Sequence, residues 1–413
     1  MIRVYFNLVV SIFCMDVDRF TLSNGLRVVN LKLPIESVSM VVSVGVGYLD
    51  ESSECLGVSH LLEHLLFDGT KSYPNEFSFC DAAEKLGGDI NGTTEEYSTS
   101  FEFRVFKSDF EEAVKLLSEL VFHPLFLKEK FEKEKKVILA EMLSRRDVFK
   151  KHPVKTVLYN YLDGFDQMER LEREIKNIPL LSEELVLNHF EKYYQPSNMV
   201  LWVVGEVENL KELLETHFNK EGSVFGRRVV PDFVSPKKNI ERVSDTEEVR
   251  SIFFNWFGPG LFSEERAVFE VVAKIISKGE NGVIKAIRFD KGLAYEVDAF
   301  LNSDERKGVF IVAAKTSKEN MTKVEDIIKE KVFALRSVSD SEVESAKKSV
   351  LAESVLDMED YLEDARVISN TELYSKKTPF EGYFDEIRRV DARVVRDFAK
   401  KYFGEDFVLI TSK

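Results

Sequence analysis

The 413-residue sequence predicts an α+β protein made of two tandem domains of like design. Three observations carry this prediction. Short apolar runs bounded by Gly, Asn and Pro are interspersed with longer segments of helical period. The length exceeds what one ordinary core supports. The second half also repeats the first half's order of strand, helix and strand pair, which reads as an internal duplication.

Arg19–Val29 reads as a hairpin turning at Ser23-Asn24-Gly25. In Ser37–Tyr48, Val38, Met40, Val42, Val44, Val46 and Tyr48 share one face of a strand. Ser39, Ser43, Gly45 and Gly47 share the other, leaving room for a close-packed neighbour. A polar loop, Asp50–Glu54, precedes G-V-S-H-L-L-E-H-L-L-F-D-G-T at Gly57–Thr70. Phe77–Leu86 reads as a helix ended by Gly87-Gly88, and G-G-D-I-N-G-T-T then leads into the strand Thr99–Phe106. Ser108 is expected to cap a helix running through Val121. Pro124 interrupts the chain, and a charged helix covers about Lys128–Phe149.

Ser182–Tyr194 reads as a helix and Asn198–Val207 as a strand. Glu221–Lys238 carries Gly222, Gly226, Pro231 and Pro236 and reads as a connection, dividing a domain 15–220 from a domain 239–413. The second half then offers strand Arg250–Phe257, helix Glu264–Ser277, helix Val283–Arg288, strands Ala294–Leu301 and Gly308–Lys315, and further helices. Where the first half has H-L-L-E-H, the second has R-A-V-F-E-V-V-A-K.

The net charge of −15 argues against a nucleic-acid partner, and no later segment approaches a membrane-spanning length. Met1–Cys14 has one Arg and an apolar run but no small-residue cleavage site. A functional start near Met15 and a cytoplasmic location are therefore expected. Cys14, Cys55 and Cys80 are an odd set without C-x-x-C, which argues against a disulfide framework and a thiolate metal site. Cys55 and Cys80 are expected as small buried hydrophobes. Gln occurs only at Gln167 and Gln195 among abundant Glu and Lys, a bias seen in thermophile proteins.

His60, Glu63 and His64 stand at i, i+3 and i+4, so a helix projects them from one face. Two imidazoles one turn apart can bind one metal, and a carboxylate between them can act on a metal-bound water. H-x-x-E-H is the inverzincin pattern. The competing reading is a solvated polar stripe. Against it, Leu61, Leu62, Leu65, Leu66 and Phe67 make the surroundings apolar, and two of only six His fall in this pentapeptide. On the charged helix Glu134 and Glu141 lie two turns apart on one face, and spacing leaves open which is a third ligand.

The stretch G-V-S-H-L-L-E-H-L-L-F-D-G-T-K-S-Y-P resembles the M16 zinc metallopeptidases, the pitrilysin and mitochondrial-processing-peptidase group. The similarity runs from about Asp16 over nearly the whole chain. A distal Glu completes the site in that family, and Glu141 falls at that place in E-K-E-K-K-V-I-L-A-E-M. The resemblance implies that His60, His64 and Glu141 bind one Zn²⁺ per chain. It implies Glu63 as general base and Glu134 as the family's second acidic position. G-G-D-I-N-G-T-T resembles the family's G-G-x-x-N-A-x-T, implying that Asn91 holds substrate main chain; Gly92 for Ala is expected to weaken nothing. I-R-F-D-K-G-L-A-Y resembles R-x-x-x-G-L-A-Y, implying that Arg288 and Tyr295 meet the substrate carbonyl. Gly164–Ile175 is more charged than the Gly/Pro-rich loop the family often has there.

The family's fold is a pair of similar α+β domains, each a sheet flanked by helices. The implied activity is a zinc metalloendopeptidase that cleaves unfolded peptides in a closed chamber, in a homodimeric clamshell. Two other functions remain: a non-catalytic assembly or partner subunit, whose known examples lose part of the zinc set, and a metal-dependent hydrolase acting on something other than a peptide.

Overall fold

The computed structural model describes residues 17–88, 90–225, 233–244, 248–304, 306–361, 365–374 and 382–413. The readings at Met1–Met15, and the part of the connection that holds Gly226 and Pro231, lie outside these residues.

In chain order the first half contributes β1 (Val17–Thr21), β2 (Arg27–Leu31), β3 (Ser37–Val44), α1 (Val58–Phe67), α2 (Glu76–Lys85), β4 (Ile90–Thr94) and β5 (Thr99–Phe106). It continues with α3 (Phe110–Phe122), α4 (Lys128–Lys151), α5 (Pro153–Asp163), α6 (Gln167–Asn177), α7 (Glu183–Tyr193), β6 (Met199–Val204) and α8 (Leu210–His217). The second half contributes β7 (Asn239–Val243), β8 (Arg250–Gly258), α9 (Arg266–Lys278), β9 (Ala294–Ser303), β10 (Gly308–Thr316) and α10 (Met321–Ala334). It ends with α11 (Asp340–Tyr361), α12 (Ala365–Tyr374), α13 (Tyr383–Arg389), α14 (Ala392–Tyr402) and β11 (Val408–Ser412).

One sheet runs β1-β2-β6-β3-β5-β4 and the other β7-β11-β8-β10-β9. In each sheet one early strand pairs in parallel with the half's last strand, β2 with β6 and β7 with β11. The other pairings are antiparallel. From β2 and β7 onward the two sheets share one strand order, so the duplication is a property of the fold. The chain is an α+β protein of two mixed, mostly antiparallel sheets flanked by helices.

The chain forms two compact units. The first comprises the described residues of Met1–Ser144, Leu171–Val230 and Asp357–Thr378; the second comprises those of Arg145–Arg170, Pro231–Leu356 and Pro379–Lys413. Each sheet is thus covered in part by a helix from the other half of the sequence.

In the first unit, the apolar face of β3 lies on the side of α1: Phe101, paired with Val42, packs on Phe67 at 6.1 Å between ring centroids. The serine face is buried as well. There α12 packs on β3 and β6, and the Ser43 and Ser100 hydroxyls meet at 3.0 Å while Ser100 donates to Asn370 Oδ1 at 2.8 Å. The small side chains expected to admit a close neighbour admit this helix.

In the second unit α5 lays Val154, Leu158 and Leu162 against Phe257, Val309, Ile311, Val408 and Ile410. An aromatic group of Phe254, Trp256, Phe269, Phe310 and Phe403 packs together within the same unit.

Three local readings are corrected. Ser108 does not cap α3: a 3-10 turn at Lys107–Asp109 moves the helix start to Phe110, and the Ser108 hydroxyl donates to Asp109. Ile90–Thr94 is itself a strand, because pairing with β5 overrides the weak β-propensity of Asn91 and Gly92. Neither cysteine is fully buried. Cys80 lies on the outer side of α2, whose buried residues are Phe79 and Ala83, and Cys55 sits in a loop beside Ser52.

Candidate metal centre

The centre is built on α1, whose entry is set by two residues. Gly57 has φ +88°, a left-handed conformation that favours glycine. The Glu51 carboxylate then accepts from the amides of Gly57 and Ser59, both at 2.8 Å, placing a negative charge at the helix N-terminus. The apolar face of α1 buries Leu61, Leu62, Leu65 and Leu66. Its opposite face carries His60 and His64, with ring centroids 4.9 Å apart.

From α4, Glu141 Oε2 reaches His60 Nε2 at 3.5 Å and His64 Nε2 at 3.9 Å. One donor atom from each of the three residues lies within 4.8 Å of the others. Tetrahedral zinc at 2.0–2.2 Å from each donor requires donor separations of roughly 3.4 Å, so this set of two imidazoles and a carboxylate fits it with little movement. Glu141 is exposed and the two imidazoles half-buried, so one side of the cluster is open.

Two helix turns before Glu141, Glu134 is buried and its Oε2 lies 3.2 Å from His64 Nδ1. The tautomer that donates from Nδ1 suits this contact and leaves Nε2 as the nitrogen available to a metal beside Glu141. Of the two acidic residues on this face of α4, Glu141 stands among the donor atoms and Glu134 stands behind a ring.

Glu63, on the same helix, reaches β4 and interacts electrostatically with His64 and Glu141. It is 9% exposed, and Thr94 donates its hydroxyl to Oε2 at 2.6 Å. Burial pushes its carboxyl above the usual carboxylate range, while the Thr94 hydrogen bond and His64 pull it down and Glu141 pushes it up. Gly92 backs this side chain. A Cβ there would stand 2.9 Å from Glu63 Cγ and 3.0 Å from Phe67 Cε2. In this structure the Glu63 side chain and the Phe67 ring fill the space an Ala methyl at position 92 would take.

Asn91 is exposed on β4, opposite Glu102, and β4 ends the sheet. Arg288 and Tyr295 belong to the second unit. Arg288 is exposed on a π-turn at Lys285–Asp290, its guanidinium over the Phe289 ring. Tyr295 is 88% exposed. It is the extra residue of a β-bulge, since Ala294 pairs with Thr316 and Glu296 with Lys315. Bulges re-aim side chains in this way.

Thr94, Glu51 and the Ser59–His189 contact went unnoticed in the sequence. Ser59 Oγ lies 3.2 Å from Nε2 of His189, which is buried on α7. Only the T of G-G-D-I-N-G-T-T pointed to any of them. Among the described residues no helix is long and apolar enough to cross a membrane.

Two family models match the chain. Residues 27–177 match the model described as insulinase (peptidase family M16), and residues 181–350 match the peptidase M16 inactive domain. The uncharacterized zinc protease YmxG of Bacillus subtilis strain 168 is 24% identical over 406 residues, covering 95% of this chain and 97% of its own. The mitochondrial cytochrome b-c1 complex subunit 1 of Rattus norvegicus is 24% identical over 403 residues, covering 92% of this chain and 83% of its own. Among solved structures, a protease from Helicobacter pylori superposes with a TM-score of 0.78 at 18% identity, covering 97% of this chain and 100% of its own. A peptidase M16 inactive domain from Pseudomonas fluorescens gives 0.79 at 16% identity, with 96% and 98% covered. With both family models matched in succession on a fold of this design, the chain belongs to peptidase family M16.

Proposed function

We propose that the chain is a zinc-dependent endopeptidase that cleaves unfolded peptides or oligopeptides. The observation supporting this reading is the convergence of His60, His64 and Glu141 on one point beside the buried carboxylate of Glu63. These three residues hold the ion. A zinc ion bound there supplies Lewis acidity, lowering the pKa of a water and polarising the scissile carbonyl. Glu63 is the general base: with Oε2 held by Thr94, Oε1 takes the proton from the attacking water and delivers it to the leaving amine. Asn91 and the outer edge of β4 receive the peptide as an added strand. Arg288 and Tyr295 stabilise the oxyanion. Two copies pair as a clamshell whose closed chamber selects flexible chains.

Similarity to a cytochrome b-c1 complex subunit favours a second reading, a non-catalytic partner subunit. Metal analysis with a quenched-peptide assay separates the two. The protease reading expects about one zinc per chain, and cleavage that a chelator abolishes and added zinc restores. A chain that binds no zinc and cleaves no peptide is the partner subunit, and one that binds zinc yet cleaves no peptide overturns the peptidase reading.

A further inference from the structure

Behind the candidate metal centre lies a run of alternating charge. His64 Nδ1 lies 3.2 Å from Glu134 Oε2, and Glu134 Oε1 lies 3.2 Å from Lys133 Nζ. Lys133 reaches Glu76 Oε2 at 3.4 Å, and the same oxygen lies 3.2 Å from Lys130 Nζ. Lys130 also reaches Asp68 Oδ1 at 2.9 Å. Asp68 caps the C-terminus of α1, one turn beyond His64, so the run returns to the helix on which it began. It joins that helix, the first turn of α2 and the helix that carries Glu134 and Glu141.

Asp68 is the costly member. It is 3% exposed, and its Oδ2 is buried without a hydrogen-bond partner. A carboxylate so placed requires a compensating charge. Lys130 supplies it and at the same time bridges to Glu76. Asp68 and Glu134 repel one another, and Lys130, with Lys133 beside it, offsets that repulsion.

We propose that Lys130 is a positioning residue for the metal centre, holding Asp68 and Glu76 so that Lys133 and Glu134 stay aligned on His64 Nδ1. The inference rests on the reading of His64 as a zinc ligand. Outer partners of this kind orient a ligand imidazole, and their loss weakens metal affinity about 10–100-fold. Lys130 touches no donor atom of the set itself, so its effect passes through the charges between.

The test is zinc affinity of the full-length chain by competition with a chromophoric chelator, with the melting temperature of the zinc-free protein read in parallel. Lys130→Met is expected to weaken zinc binding at least about tenfold. Lys130→Arg, which keeps the charge, is expected to remain within about twofold of the parent. The double variant Asp68→Asn/Lys130→Met removes both charges and is expected to recover much of the loss. It is also the variant to judge if Lys130→Met alone does not fold. Unchanged affinity in Lys130→Met overturns the proposal, as does a loss that neither Lys130→Arg nor the double variant relieves. A parent chain that binds no zinc overturns the metal-centre reading instead, which keeps the two failures distinct.

Discussion

The hydroxyl of Thr94 donates to Oε2 of Glu63 at 2.6 Å, linking a β-strand edge to the helix that carries both imidazoles. That bond fixes which way the carboxylate faces. Glu63 is oriented by a partner 31 residues away and is not one of the three grouped donor residues, so its role can be separated experimentally from metal binding.

Glu63→Gln is expected to retain about one zinc per chain and to lose peptide cleavage by about 10²-fold or more. Zinc analysis beside a peptide assay checks it. Near-normal cleavage in this variant would remove Glu63 from the chemistry.

Gly92→Ala should be costly even though it restores the residue usual in the family motif. The added methyl meets Glu63 Cγ at 2.9 Å and a Phe67 ring packed against Phe79 and Phe101. Overpacking of this kind costs about 1–3 kcal/mol. Turnover should fall about tenfold or more with zinc content kept. Wild-type turnover and stability together would show that Glu63 has room to move.

His189 makes stability acid-sensitive. Burial, with Lys192 nearby, lowers its pKa from 6.5 to about 4. The unfolded chain therefore binds the proton first as the pH falls. The associated stability is complete above about pH 6.5 and is lost progressively toward pH 4, on the order of 3 kcal/mol in all. Urea denaturation at several pH values should show this slope in the parent and a flatter one in His189→Gln. Equal slopes would assign the acid sensitivity elsewhere.

If two copies form a clamshell with Tyr295 of one serving the zinc site of the other, mixing Glu63→Gln with Tyr295→Phe should restore activity. After random 1:1 exchange about half the dimers are mixed, each with one intact site, so roughly a quarter of parental activity returns. Tyr295→Phe must itself be inactive. Verified exchange with no recovery would exclude composite sites.

The readable parts of the site were those encoded over a few helix turns. His60, Glu63 and His64 declare themselves by spacing alone, and Glu134 and Glu141 by sharing a helix face. Spacing could not rank the two glutamates, because a ligand and its supporting carboxylate occupy equivalent positions two turns apart. Thr94 and Gly92 were opaque for another reason: their importance comes from a strand seated against a helix. The strand Ile90–Thr94 exists through its pairing with β5, in spite of its composition. The serine face of β3 announced a close neighbour, yet nothing in those serines identified residues 365–374 as that neighbour.

That last contact sets an order on synthesis. Ser43 and Ser100 find Asn370 only after the ribosome has passed residue 370, and Arg19 meets Glu372 later still. A nascent chain that has already made His60, His64 and Glu141 still lacks one cover of the sheet beneath them. The first unit is therefore finished only once residues 357–378 have emerged, and a gene cut between the halves yields two incomplete products.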